Sequence, residues 1–187
     1  MRSPNRKRAA SPTRLLAVVV LTLGLAACAS ENATADQGKI DACELVSAAE
    51  AGEVLGTDVT VKPIDTSAAG PDAASMCSYQ TGQIGGGFML LAGRVPYRDA
   101  AAEVADRKKE ELSGVPAGIP EPTFTDVTGL GEAAYLAETP ESLELHVLDH
   151  GAVIVVTLSR KPDTAAETLA EQLARVAVGN LEKNAGQ

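Results

Sequence analysis

An α+β fold, a single domain with helices packed on an antiparallel sheet, follows from three features of the sequence. Short runs of alternating apolar and polar residues recur from Asp58 to Ser159, separated by Gly- and Pro-rich turns. Two stretches, 97–112 and one opening at Asp163 or Thr164, switch instead to helical spacing. The two halves also echo one another. Thr57-Asp58-Val59-Thr60 recurs as Thr125-Asp126-Val127-Thr128, and each copy leads through strands to a helix opening after Pro96 or Pro162. A duplicated βββα unit sharing one sheet accounts for this, because half a sheet cannot bury its own face.

The elements follow in order. Ser47-Ala48-Ala49-Glu50 and Asp41-Ala42-Cys43-Glu44 both have capping-box spacing, and Ser47 starts a short helix that Gly56 stops. Strands are predicted at 58–64, 76–81 and 88–95, with a loop at 67–75 and a turn at Gly85-Gly86-Gly87. The helix over 97–112 places Tyr97, Ala101, Val104, Ala105 and Leu112 on one face, and a Gly/Pro connector, 113–122, follows it. Further strands are predicted at 124–127, 133–138, 143–148 and 152–159, with Asp149-His150-Gly151 turning between the last two. The final helix carries Leu169, Leu173, Val176, Ala177 and Leu181 at helical spacing.

Composition sets the limits. The chain has 187 residues, 45% hydrophobic and 22% charged, so it is neither disordered nor polytopic. Three Tyr, two Phe and no Trp leave Val, Leu and Ile to fill the interior. Residues 1–27 carry five basic side chains and no acid, whereas the 11 basic and 25 acidic side chains of the remainder leave it at −14. A domain that acidic repels phosphate backbones, so nucleic acid is not an expected partner.

Residues 1–14 form a basic region, and Leu15 to Leu25 an apolar run of 11 residues. As a helix that run spans about 16 Å, too short for a hydrocarbon core of about 30 Å and suited to a signal peptide. Leu25-Ala26-Ala27-Cys28 then resembles the bacterial lipobox. The resemblance implies that residues 1–27 are a lipoprotein signal peptide and that Cys28 is alkylated with diacylglycerol to become the mature N-terminus. Two or more acyl chains of the palmitate kind would hold the protein on the outer face of the plasma membrane. Residues 28–40 read as a flexible polar tether and 41–183 as the extracytoplasmic domain. Lipidation of Cys28 leaves Cys43 and Cys77 as an even pair in an exported chain, where a disulfide is the default. A catalytic thiol or a metal pair is the competing reading, and neither has a nearby histidine in the sequence.

Beyond the lipobox cysteine, the chain carries Asp41-Ala42-Cys43-Glu44-Leu45-Val46-Ser47 running into Leu55-Gly56, then Cys77-Ser78-Tyr79, then Gly129-Leu130-Gly131-Glu132-Ala133-Ala134-Tyr135. Across most of residues 28–181 it resembles actinobacterial lipoproteins of the domain of unknown function 3558 type. The resemblance implies a membrane-tethered, disulfide-bonded α+β domain and brings no catalytic residues with it.

No motif supplies a reaction. His146 and His150, with Asp149, allow a metal site to be drawn, but His150 falls in a turn, and no metal set is expected. Gly82-Gln83-Ile84-Gly85-Gly86-Gly87 lacks the lysine of a phosphate loop, and no Gly-x-Ser-x-Gly elbow is present. Arg107-Lys108-Lys109 sits among Glu103, Glu110 and Glu111, as on a solvated helix face. No catalytic residue and no cofactor are therefore assigned. The expected function is a non-enzymatic, membrane-anchored binding module for a small apolar or lipid ligand, held in a cavity that alanines leave open, or for an envelope protein. The alternatives are a sensor or accessory domain acting through protein contact and an envelope hydrolase.

Overall fold

A computed structural model describes residues 39–70, 73–83, 86–159 and 163–185. The leader, Cys28 and nearly all of the tether lie outside the described residues, as do Gly85 of the glycine turn and Pro162 before the last helix. Among the described residues no helix is long and apolar enough to cross a membrane.

The N-terminal helices form where the capping residues place them. In α1 (Ala42–Leu45) the Asp41 carboxylate accepts from the Cys43 N–H at 2.9 Å. In α2 (Ala48–Leu55) the Ser47 hydroxyl accepts from the Glu50 N–H, and the Glu50 carboxylate accepts from the Ser47 N–H. This is the expected capping box, and it satisfies two N–H groups that a helix start leaves orphaned. Gly56 ends α2 at φ 67°, a left-handed conformation that a Cβ would strain.

The strands are β1 (Val59–Ile64), β2 (Ser75–Thr81), β3 (Gly87–Arg94), β4 (Thr123–Val127), β5 (Ala133–Glu138), β6 (Leu143–Asp149) and β7 (Ala152–Leu158). They form one sheet in the order β1-β2-β3-β7-β6-β5-β4, every neighbour antiparallel. Helix α3 (Ala100–Gly114) connects β3 to β4, and α4 (Thr164–Ala185) ends the chain. This is the α+β fold expected, with four helices packed on an antiparallel sheet.

The order of three strands and a helix occurs twice, β1-β2-β3-α3 and β5-β6-β7-α4, and β3 pairs with β7 where the halves meet. The symmetry stops there. The Thr-Asp-Val-Thr echo equates β1 with β4, whereas position in the sheet sets β1 against β5 and leaves β4 as an added edge strand. A two-fold axis between antiparallel neighbours stands perpendicular to the sheet and would keep both long helices on one face. Instead α4 packs over Leu145 and Val147, and α3 over the opposite-pointing Tyr135 and Leu148.

The main core lies between one face of the sheet and α1, α2 and α4. Four alanines of α4 (Ala166, Ala170, Ala174 and Ala177) are fully buried. Their size lets the helix axis approach the sheet, while Leu173 and Leu181 fill the space beside them. Cys43 and Cys77 are disulfide-bonded, joining α1 to β2. Closing a loop of this length contributes about 3.8 kcal/mol in the chain-entropy model. Tyr79, two residues along, stacks on Phe88 with ring centroids 4.2 Å apart and donates its hydroxyl to the Val46 carbonyl at 2.7 Å. Asn180 of α4 donates to the Leu45 carbonyl and to Glu50, tying the three helices together.

Two side chains depart from the periodicity. The α3 helix opens at Ala100, not at 97, because the Asp99 carboxylate caps the Ala102 N–H at 2.9 Å. Tyr97 is thereby freed to point elsewhere. Leu112, assigned to the buried face, is 39% exposed, and only Val104 of this helix is buried.

Candidate functional site

The second face of the sheet is only half covered. Across β5 and β6 it lies under α3, where Val104, Tyr135, Ala137 and Leu148 form a small second core. Across β1, β2, β3 and β7 no helix lies over it among the described residues. Strand alternation points Ile64, Met76, Met89, Leu91 and Val155 to this open area; Ile64, Met76, Leu91 and Val155 form one cross-strand row, and Met89 stands in the next row between Ser78 and Thr157. Ile64 and Met89 are 36% and 37% exposed, and Met76, Leu91 and Val155 are half-buried. Lys62 is the one charged side chain on this area among the described residues.

Beneath α3 lies a cleft of about 330 Å³, lined by Ala101, Val104, Ala105, Val127, Ala133 and Ala134, with Lys108 and Asp126 also contributing. Lys108 and Asp126 pair across it, and the ammonium lies 5.1 Å from the Tyr135 ring centroid and 5.9 Å from that of Phe124. Alanines do leave space between helix and sheet. The space is an open groove at the lower end of ligand-pocket sizes. A second hollow of about 280 Å³ lies between Ile40, Leu45, Leu181 and Arg94, at the N-terminal end of the described domain.

The two histidines are separated by the structure. His146 is buried under α3, stacked on Tyr135 with centroids 4.5 Å apart; its Nε2 lies 3.2 Å from Glu144 and 3.7 Å from Glu111, and its Nδ1 has no partner among the described residues. The Tyr135 hydroxyl donates to Glu111 at 2.6 Å, and burial with that carboxylate pushes its pKa well up. His150 sits at the tip of the β6–β7 hairpin. His150 and Gly151 both have positive φ, 46° and 71°, as a tight two-residue hairpin of the right twist requires.

Sequence reasoning missed what gathers around that tip. The Gly129-Leu130-Gly131 loop, with φ 72° and 60° at its glycines, swings back against β6. A Cβ on Gly131 would lie 2.7 Å from the Leu148 carbonyl oxygen, so the approach requires glycine. The Glu132 N–H donates to that same carbonyl at 2.9 Å, and Arg175 of α4 holds the loop through the Gly129 carbonyl. Glu132 is thus delivered beside Asp149 and His150, with ligand atoms of all three within 4.8 Å of one another. Tyr97 closes the group, its hydroxyl accepting from the Gly151 N–H at 3.2 Å. Burial raises the Tyr97 pKa to about 12, with Glu132 adding to the effect. The signal available in the sequence was the Gly-x-Gly followed by Glu132.

No family model and no curated protein matches the chain. Among solved structures, it is similar to a GTP-binding regulator from Thermotoga maritima, at 15% identity and a TM-score of 0.36 over 72% of this chain and 89% of that one. That likeness is too loose to carry either fold or activity across.

Proposed function

We propose that the protein is a lipid-anchored, extracytoplasmic binding module without catalytic activity, and that it docks an envelope protein on the open area of its second sheet face. The carrying observation is that area: five apolar side chains on four strands, with no helix over them among the described residues. Contiguous exposed apolar surface of this kind marks interaction sites more often than chance exposure does, and methionine side chains adapt to varied partners. The near absence of charge there suits a partner surface that is itself apolar, in a domain otherwise strongly acidic. The leader and the lipobox Cys28 support placement outside the membrane, as does a disulfide in the domain. The resemblance to lipoproteins of the domain of unknown function 3558 type supports the same reading. A second reading, a small apolar ligand in the alanine-lined groove under α3, is favoured by the groove's volume of about 330 Å³, room for one short chain.

The test uses the full chain in its own membranes. With a photo-crosslinking residue at position 89, a discrete adduct is expected that Met76→Lys removes; the same residue at Thr168, on exposed α4 surface, gives none. Equal labelling at both positions would count against the docking face. Cys28→Ala should release the protein from membranes and abolish fatty-acid labelling, and unchanged retention would refute the anchor.

A further inference from the structure

We propose that Glu132, Asp149 and a ring nitrogen of His150 form a site for a divalent cation of zinc's ligand preference, at the end of the molecule carrying the β6–β7 turn. The three residues come from two separate segments, and their ligand atoms converge within 4.8 Å. Two carboxylate oxygens and one imidazole nitrogen, with water completing the shell, are a donor set that zinc accepts. This differs from a patch of surface acids in composition and in burial. One donor is an imidazole, and the Asp149 side chain is only 5% exposed although it sits at a hairpin end.

The groups facing the site are of both signs, with acids in excess. Glu132 and Asp149 lie together, and Glu182 of α4 adds a third negative charge at longer range. Against them stand the His150 ring, whose Nδ1 is 2.9 Å from Asp149, and Arg94, which is directed to the His150 carbonyl at 3.3 Å and not to a carboxylate. Tyr97 is neutral and serves as a neighbour to Glu132. Bringing two carboxylates together is costly unless something positive sits between them. The chain nevertheless holds them there by a loop that only glycine at position 131 allows. A divalent ion would offset both charges and clamp the Gly-Leu-Gly loop to the hairpin.

The experiment uses the purified, detergent-solubilised full chain, stripped with chelator and titrated with Zn²⁺. Calorimetry should show one ion bound per chain, with a rise in melting temperature. Glu132→Gln and His150→Asn should each weaken binding at least about tenfold; asparagine tolerates the positive φ at 150, so the turn survives. His146→Gln should leave affinity unchanged. Because the chain has only two histidines, NMR gives a readout without any substitution at the site: Zn²⁺ should move the ring signals of His150 and not those of His146. Absence of saturable one-to-one binding, equal affinity in the Glu132→Gln and His150→Asn chains, or a shift confined to His146 would each overturn the proposal.

Discussion

The two faces of the sheet are built from the same strands yet treated in opposite ways. One face is sealed by α1, α2 and α4, pinned by a disulfide and packed with fully buried Leu, Ile and Val. The other has, among the described residues, α3 alone over its β4–β5–β6 side and apolar side chains open beside it. Both faces carry alternating apolar residues, so alternation alone does not tell which is the core. What separates them is the small-residue stripe of α4, which lets a helix lie close, against α3, whose exposed face is crowded with charge. Stability resides on the first face, and the second is available for contact.

This contrast can be broken most visibly by cavity substitutions. Leu173→Ala, on α4 against the first face, should cost about 2–5 kcal/mol in urea denaturation. Val104→Ala, the buried residue of α3, should cost about 1–2 kcal/mol. Equal losses would show that α3 is as much part of the stability core as α4.

The capping box offers a finer probe of the first face. Hydrogen bonds from Ser47, side chain first, and then from Asn180 hold the Glu50 carboxyl below its ordinary 4.5. A depressed folded-state pKa contributes stability that is fully present above 4.5 and is lost as pH falls through the lower, folded-state value. Glu50→Gln removes the charge and one acceptor oxygen, so it should lower stability at neutral pH, where the ionised carboxylate contributes, and flatten the acid limb of the stability–pH curve.

On the second face the expected change is smallest. Met89→Gln should leave stability within about 0.5 kcal/mol of the parent chain while weakening partner capture. A larger loss of stability would mean that Met89 is packed in solution and that the face is closed.

Much of the fold was legible in the sequence for local reasons. Ser47 with Glu50, Gly56, and the His150-Gly151 turn each act within a few residues, and alternation located all seven strands. What failed to be legible was long-range. The recurrence of Thr-Asp-Val-Thr suggested symmetry, but nothing in either copy records which face the following helix will take. Tyr97 fits the helical period of α3, yet Asp99 captures the helix start and Tyr97 turns to the far hairpin. The grouping at the hairpin was hidden because Glu132 and Asp149 are brought together by backbone approach at Gly131, a steric condition with no periodic signature. The open area of the second face was hidden too, since a strand's sequence does not reveal where a helix fails to cover it.

The position of the disulfide has a mechanical consequence. Tension entering the domain from its N-terminal side can peel away only Lys39 to Ala42 before it meets Cys43. There it passes through a covalent bond into β2, a strand gripped on both sides by antiparallel neighbours. A load applied at one end is thereby spread sideways into the sheet, and the short helix that receives it need not be strong.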